Sequence, residues 1–410
     1  MRYEVSTVDF EHGDKSRGNG YDWRMFAKDE FLKARLAILI SFLINGFSVG
    51  NFVSRIPDFK FELGISNGVL GASLFCASIG VLAALRPTSR AAAKYGSGPI
   101  VKNSAFTLAL AVPFVGLLFN LPWFLFSLFV YGFLSSIHDL SINAHAAALE
   151  NKAGKRVMST FHAMWSIGGL TGGAIGGLLA SVNISIQLHA LGVGVFIALI
   201  ALLTRNWFLP AEADQHVIEK HVKRKTPRRF VILGLLGLCG ALGEGAASDW
   251  GGVLARETFE ASALMSALPY VFFSATMVIG RLSGDFLAHK FGVVKLLTWS
   301  GFIAGIGLTA GLFAGNIYGV IIGWLLLGIG ISTVIPMMIS ATGTLANEKY
   351  AGQVSAAEGV ALVTGVAYFG FVIGPPLIGF ISEIITLRWA MLLPAVLAII
   401  FGLSAKKVLS

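Results

Sequence analysis

Twelve times along the chain, about 20 mostly apolar residues follow one another before a short polar break. An α-helix needs about 20 such residues to cross the hydrocarbon core of a bilayer. The runs fall at approximately 35–53, 69–86, 100–119, 123–148, 159–181, 187–205, 230–249, 263–284, 293–313, 317–342, 354–382 and 387–405. The pattern predicts an all-α membrane protein with twelve transmembrane helices. Residues 1–34 are polar and charged and lack the apolar core of a signal peptide, so they are expected to form a cytoplasmic tail. The next longest polar break, 206–229, carries Lys220, Lys223, Arg224, Lys225, Arg228 and Arg229. It is expected to be a cytoplasmic linker between two six-helix bundles, 35–205 and 230–410, the second ending in a short tail.

Charge tests this map. With both termini cytoplasmic, the inside segments hold 26 of the 31 Lys and Arg residues and the outside loops hold 4, with Arg281 inside helix 8. The positive-inside rule predicts this asymmetry, and one helix more or fewer would scramble it. The net charge of +9 is therefore assigned to loops on one face of a membrane and not to nucleic-acid binding. A chain that is 55% hydrophobic and 13% charged has apolar surface to place in lipid. Cys76 and Cys239 lie within apolar runs and are expected to stay unpaired.

The two halves share a pattern. Tyr131-Gly132-Phe133-Leu134-Ser135-Ser136 in helix 4 parallels Leu327-Gly328-Ile329-Gly330-Ile331-Ser332 in helix 10. Helix 5 has glycines at 168, 172 and 177, and helix 11 has them at 370, 374 and 379. Internal repeats of this kind accompany two packed bundles with a site between them.

These features, with Arg55-Ile56-Pro57 closing helix 1, Leu63-Gly64-Ile65-Ser66, Asp139, Asn143 and Glu150 on helix 4, Glu244-Gly245 and Asp249-Trp250 on helix 7, and Gly374-Pro375-Pro376 on helix 11, resemble the major facilitator superfamily. The similarity is greatest to a bacterial branch of permeases related to fucose permease. It implies the major facilitator fold, two pseudo-symmetric six-helix bundles, in a bacterial inner membrane. It also implies a small-molecule substrate, alternating access and a monomer as the default state. The superfamily's loop motif between helices 2 and 3 is degraded: Ala93 stands at its acidic position, and the second-half copy, Asp285 to Gly292, also lacks the Asp. Arg281 and Asp285, four apart, offer a replacement pair.

Ionisable side chains in hydrocarbon are costly and mark functional positions. On helix 4, Gly132, Asp139, Asn143 and Glu150 share one stripe, which predicts a watery cavity there. Asp139 is a proton-binding carboxylate, a substrate ligand, or a buried group tied to Asn143 or His138. Glu244 lies at mid-membrane beside Gly237 and Gly240, where burial favours the protonated form. It is either a proton carrier or a partner of a neighbouring helix. The proton-coupling candidates are thus Asp139 and Glu244, and the substrate-binding candidates are Asn143, Trp165, Tyr368 and His138. Arg55 and Asp249, at equivalent ends of helices 1 and 7, form a candidate outer gate. Glu150, His162 and Glu358 form a candidate inner gate, with His162 also able to sense pH. Pro336 and the Gly374-Pro375-Pro376 run are expected to bend helices 10 and 11.

The chain has no phosphate-binding Gly-Lys-Ser/Thr loop, no Cys/His spacing for a metal, and no nucleophile triad. No cofactor or enzymatic activity is expected. The function these residues favour is a secondary transporter, proton-coupled, for a small polar and possibly sugar-like metabolite. Export of amphipathic compounds and non-transporting sensing are the alternatives.

Overall fold

The computed structural model describes residues 28–153, 157–211, 227–350, 353–354 and 356–409. The first bundle holds α1 (Lys28–Leu63), α2 (Asn67–Tyr95), α3 (Ser97–Gly116), α4 (Leu121–Ala153), α5 (Met158–Ser181) and α6 (Ile186–Thr204). The second holds α7 (Arg228–Phe259), α8 (Ala263–Phe291), α9 (Val293–Phe313), α10 (Ile317–Ile331), α11 (Val334–Glu348), α12 (Ala356–Ile385), α13 (Leu387–Ala390) and α14 (Leu392–Leu409). Twelve helical spans are long and apolar enough to cross a membrane; α10 with α11 makes the tenth, and α13 with α14 the twelfth. Lys28 and Leu409 lie at one end of the bundle axes, called proximal here; the α1–α2 and α7–α8 loops lie at the distal end. Most of the expected cytoplasmic tail and most of the linker, 212–226, lie outside the described residues.

Proline chemistry accounts for the breaks. Pro336 has no N–H to give Ser332, and its ring crowds that carbonyl, so the helix opens at Ser332–Thr333, one turn before the proline. Pro394 acts identically on Ala390 and separates α13 from α14. Pro375 and Pro376, by contrast, sit within a continuous α12. Pro57 does not end the first span as expected: α1 runs on to Leu63. The seventh span likewise continues ten residues beyond 249, to Phe259. At its other end α1 starts at Lys28, so the tail boundary at 34 falls inside a helix.

The repeated glycines do equivalent work in the two bundles. A Cβ on Gly168 or Gly172 would strike α1, at 2.1 Å from Leu43 O and 2.4 Å from Phe47 O. A Cβ on Gly370 would strike the equivalent helix α7, 2.7 Å from Leu238 O. The third glycine of each set faces the opposite bundle: Gly177 meets Ala267 of α8, and Gly379 meets Asn67 and Gly71 of α2. Small residues permit this backbone approach where no side chain fits. On α6, Leu188, Leu191, Val195, Leu199 and Leu203 form an exposed stripe at helical spacing, the face that lipid would cover.

Close contacts between the bundles cluster toward the distal end. Gly71 packs on Pro375 O, Gly173 on Tyr270, and Gly252 on Pro57. One apolar cluster spans the seam, joining Val53 and Ile56 of α1 and Leu70 and Leu74 of α2 to Trp250, Val253 and Leu254 of α7.

Candidate functional site

Near the middle of the spans, side chains from five helices of both bundles meet. Glu244 is the seventeenth residue of α7, about 24 Å along it at 1.5 Å per residue. Its carboxylate accepts from Arg281 Nη2 of α8 at 3.0 and 3.1 Å. Arg281 Nη1 donates to Ser166 Oγ of α5 at 3.0 Å, so one guanidinium ties the second bundle to the first. His162, one turn before Ser166, is within electrostatic reach of Arg281. Tyr368 of α12, 52% exposed, lies within reach of Asp139, Glu244 and Arg281 together.

Asp139 of α4 differs from Glu244. Its recorded hydrogen-bonding neighbour is Asn143 of its own helix, whose Nδ2 donates to Asp139 O at 2.8 Å and lies 3.4 Å from Oδ1. Trp165 of α5 is half-buried, and its indole N–H donates to Asn45 Oδ1 of α1 at 2.9 Å. That bond fixes the ring plane without occupying its faces.

The other candidates lie elsewhere. His138 is fully buried in the first bundle and bonds Ser104 Oγ through Nδ1 at 3.0 Å, so it packs α4 against α3 and does not reach the cavity. Gly132 also leaves the expected watery stripe, because it packs against Ala77 O of α2. Glu150 accepts from the backbone N–H groups of Val157 and Met158 at 2.7 and 2.8 Å. It thereby satisfies donors at the start of α5, where a carboxylate also meets the positive end of the helix dipole. Glu358 is half-buried in the first turn of α12. The expected Arg281–Asp285 pair is replaced by Arg281–Glu244, and the Asp285 side chain lies outside the described residues.

At the distal end the bundles are latched by charge, with partners other than those expected. Arg55 is not joined to Asp249. It binds Asp58, one turn on, with Nε 2.7 Å from Oδ2, and donates from Nη2 to Ile184 O at 3.0 Å. Asp58 also pairs with Arg256 of α7, and Lys60 pairs with Glu257 of α7. Glu257 accepts from Asn67 Nδ2 at 3.2 Å, and Glu383 of α12 accepts from Gly68 N of α2 at 2.6 Å. The latch stands on the helical extensions past Pro57 and past residue 249. A reading that ended both helices early placed these residues in loops and missed it. The alternating charges of Asp58 and Lys60 against Arg256 and Glu257 were the available signal. Among the described residues, no cluster of three His, Cys, Asp or Glu side chains is placed to hold a metal.

Two six-helix bundles, latched by charge at one end and joined by polar side chains near mid-span, define a polytopic membrane transporter. The comparisons specify which kind. Residues 38–360 match the model of the Major Facilitator Superfamily, and the chain belongs to that family. It is 30% identical to an uncharacterized transporter, y4wD, of Sinorhizobium fredii, over 86% of this chain and 92% of the relative. It is 26% identical to membrane protein MosC of Rhizobium meliloti, over 87% and 85%. Among solved structures it is similar to the nucleoside transporter NupG, with TM-score 0.70 and 13% identity over 92% of this chain and 98% of that one. A D-xylose-proton symporter superposes with TM-score 0.72 and 12% identity over 92% and 98%. At such identities these two likenesses establish the fold alone.

Proposed function

We propose that this chain is a proton-coupled secondary transporter for a small, uncharged, polar metabolite of the sugar or nucleoside kind. The observation that carries the reading is Asp139, a mid-span carboxylate that, among the described residues, joins no ion pair and lies within reach of Tyr368 of the other bundle. A proton on Asp139 neutralises it, and its loss restores a charge that the cavity must solvate; substrate and proton thus act on one site. The Glu244–Arg281 pair is internally neutral and leaves no excess charge for an ionic substrate. Trp165 offers a ring face, and Asn143 and Tyr368 offer polar contacts. This is the chemistry that hydroxyl-rich rings require: a flat apolar face with a few directed hydrogen bonds. The shared fold of the nucleoside transporter NupG and of a D-xylose-proton symporter supports this substrate class.

The Lys and Arg asymmetry supports an orientation with both termini in the cytoplasm, which makes the distal end the outer face. The cavity then opens inward with the outer latch shut. Transport would proceed by breaking Asp58–Arg256 and Lys60–Glu257 as the proximal ends close. The test is uptake of radiolabelled pentose, hexose and nucleoside panels into proteoliposomes under an imposed pH gradient. The expected result is accumulation of one class that collapses on addition of a protonophore. Flux unchanged by the protonophore would remove the proton from this reading.

A further inference from the structure

Glu244 is held by Arg281, whereas Asp249, five residues on along α7, joins no ion pair among the described residues. At 100° per residue, Gly245, Asp249, Gly252 and Arg256 of α7 fall within a stripe about 60° wide, with Glu244 turned away from it. Contacts fix what that stripe faces. A Cβ on Gly245 would lie 3.3 Å from Phe371 of α12, and one on Gly252 would lie 3.1 Å from Pro57 of α1. Arg256 pairs with Asp58 of α1. Asp249 therefore sits on the seam between the bundles, between the cavity and the outer latch, beside an apolar cluster that includes Ile56, Trp250 and Val253.

Most charged and titratable groups on the elements around it are engaged with other partners; Glu62 of α1, exposed at the distal end, lies near Asp58 and Arg55. On α1, Arg55 holds Asp58, Asp58 holds Arg256, and Lys60 holds Glu257. On α8, Arg281 holds Glu244, and Tyr270 packs on Gly169 and Gly173. On α12, Glu383 accepts from Gly68 N, and Tyr368 faces Asp139 and Glu244. On α2, Asn67 donates to Glu257. Among the described residues, no ion pair reaches Asp249.

We infer that Asp249 is a proton-dependent seam lock: the outer side closes on its neutral carboxyl and is held open by its carboxylate. When the seam parts, water reaches the group and an ionised carboxylate is well solvated. When Pro57 packs onto Gly252, that water is displaced, and the groups around the carboxylate offer no countercharge. The closed state therefore admits the protonated acid, and a proton taken up from the outside commits the latch to shut. Asp249, rather than Glu244, then accompanies Asp139 as the second carboxyl that changes its protonation during the cycle. This inference rests on the proton-coupled reading for its place in transport, but the conformational lock is measurable without flux.

The experiment uses the full chain in lipid nanodiscs, with Cys76→Ala and Cys239→Ala and spin labels at Glu62→Cys and Thr258→Cys, exposed near the distal ends of α1 and α7. Double electron–electron resonance then reports the outer gap at about pH 5 and about pH 8. The short-distance, closed population should rise by at least about threefold from the higher pH to the lower. With Asp249→Asn the population should stay closed at both pH values, while Asp249→Glu should keep the response. A pH-independent gap in the parent, or an Asp249→Asn variant with the parent's response, overturns the inference. Should Asp249→Asn not fold, loss of the response in Asp249→Glu overturns it equally. If flux ignores a protonophore while the gap still follows Asp249, the transport reading fails and the lock stands. If flux collapses but Asp249→Asn keeps the pH response, the lock alone fails.

Discussion

Asp139 and Glu244 lie near mid-span in opposite bundles, both within reach of Tyr368, yet their surroundings differ. Glu244 is closed by a guanidinium that also grips Ser166 across the cavity. Asp139 has Asn143, from the next turn of its own helix. A third carboxylate, Glu150, shares α4 with Asp139 but is occupied by two backbone donors of α5. The difference teaches that an acid at membrane depth does not by itself mark a proton site. A paired carboxylate ties helices together and serves structure. An unpaired one, in a cavity that opens and closes, is free to change its charge.

The largest effect should come from breaking the pair. Glu244→Ala leaves Arg281 uncompensated and should lower stability by about 2–4 kcal/mol, somewhat below a fully buried pair because the Arg281 side chain is 21% exposed. Replacing both residues with leucine should recover most of that loss in thermal unfolding of the purified protein. Equal destabilisation by single and double variants would show that the pair does not act as a unit. Next comes Asp139→Asn, which strands no partner and should leave unfolding within about 1 kcal/mol of the parent. Proton-driven accumulation should drop at least about tenfold while substrate exchange across the membrane continues. An unchanged pH-gradient response would move the proton site away from Asp139.

The latch provides a smaller effect, because Arg256 is partly exposed and such pairs are worth about 0–1 kcal/mol. Asp58→Arg should widen the outer gap in the labelled protein, and adding Arg256→Asp should partly close it again. Failure of the double variant to recover would mean that Asp58 acts through Arg55 and Ile184 instead. The smallest change is expected from Glu150→Ala, which removes a helix cap worth about 1 kcal/mol and should shift unfolding without altering the pH dependence of transport. A changed pH profile would restore Glu150 to the inner gate.

Much of the architecture is local and legible. A bilayer imposes length and apolarity on each crossing segment separately, so twelve spans can be marked without knowing their neighbours. The glycine sets at 168, 172 and 177 and at 370, 374 and 379 were visible as a repeat, and their equivalent contacts follow from the shared fold. Pro336 announced the break in the tenth span, though the break falls at Ser332–Thr333 because the lost bond points one turn back. Pro394 carried the same signal for α13 and α14. Pro57 misled, since a proline near a helix end can be followed by further turns once packing holds them, and here Gly252 packs against it.

The apolar runs, the Lys and Arg asymmetry and the repeat thus determined the class of molecule, because each is a property of segments or of adjacent residues. Which charges meet was decided only in three dimensions. Glu244 and Arg281 are 37 positions apart, and Asp58 and Arg256 are 198 apart. A helix wheel orders side chains around one axis but contains nothing about the axis beside it. Whether a buried acid has a countercharge is set by that neighbour, and so is the chemistry it can perform.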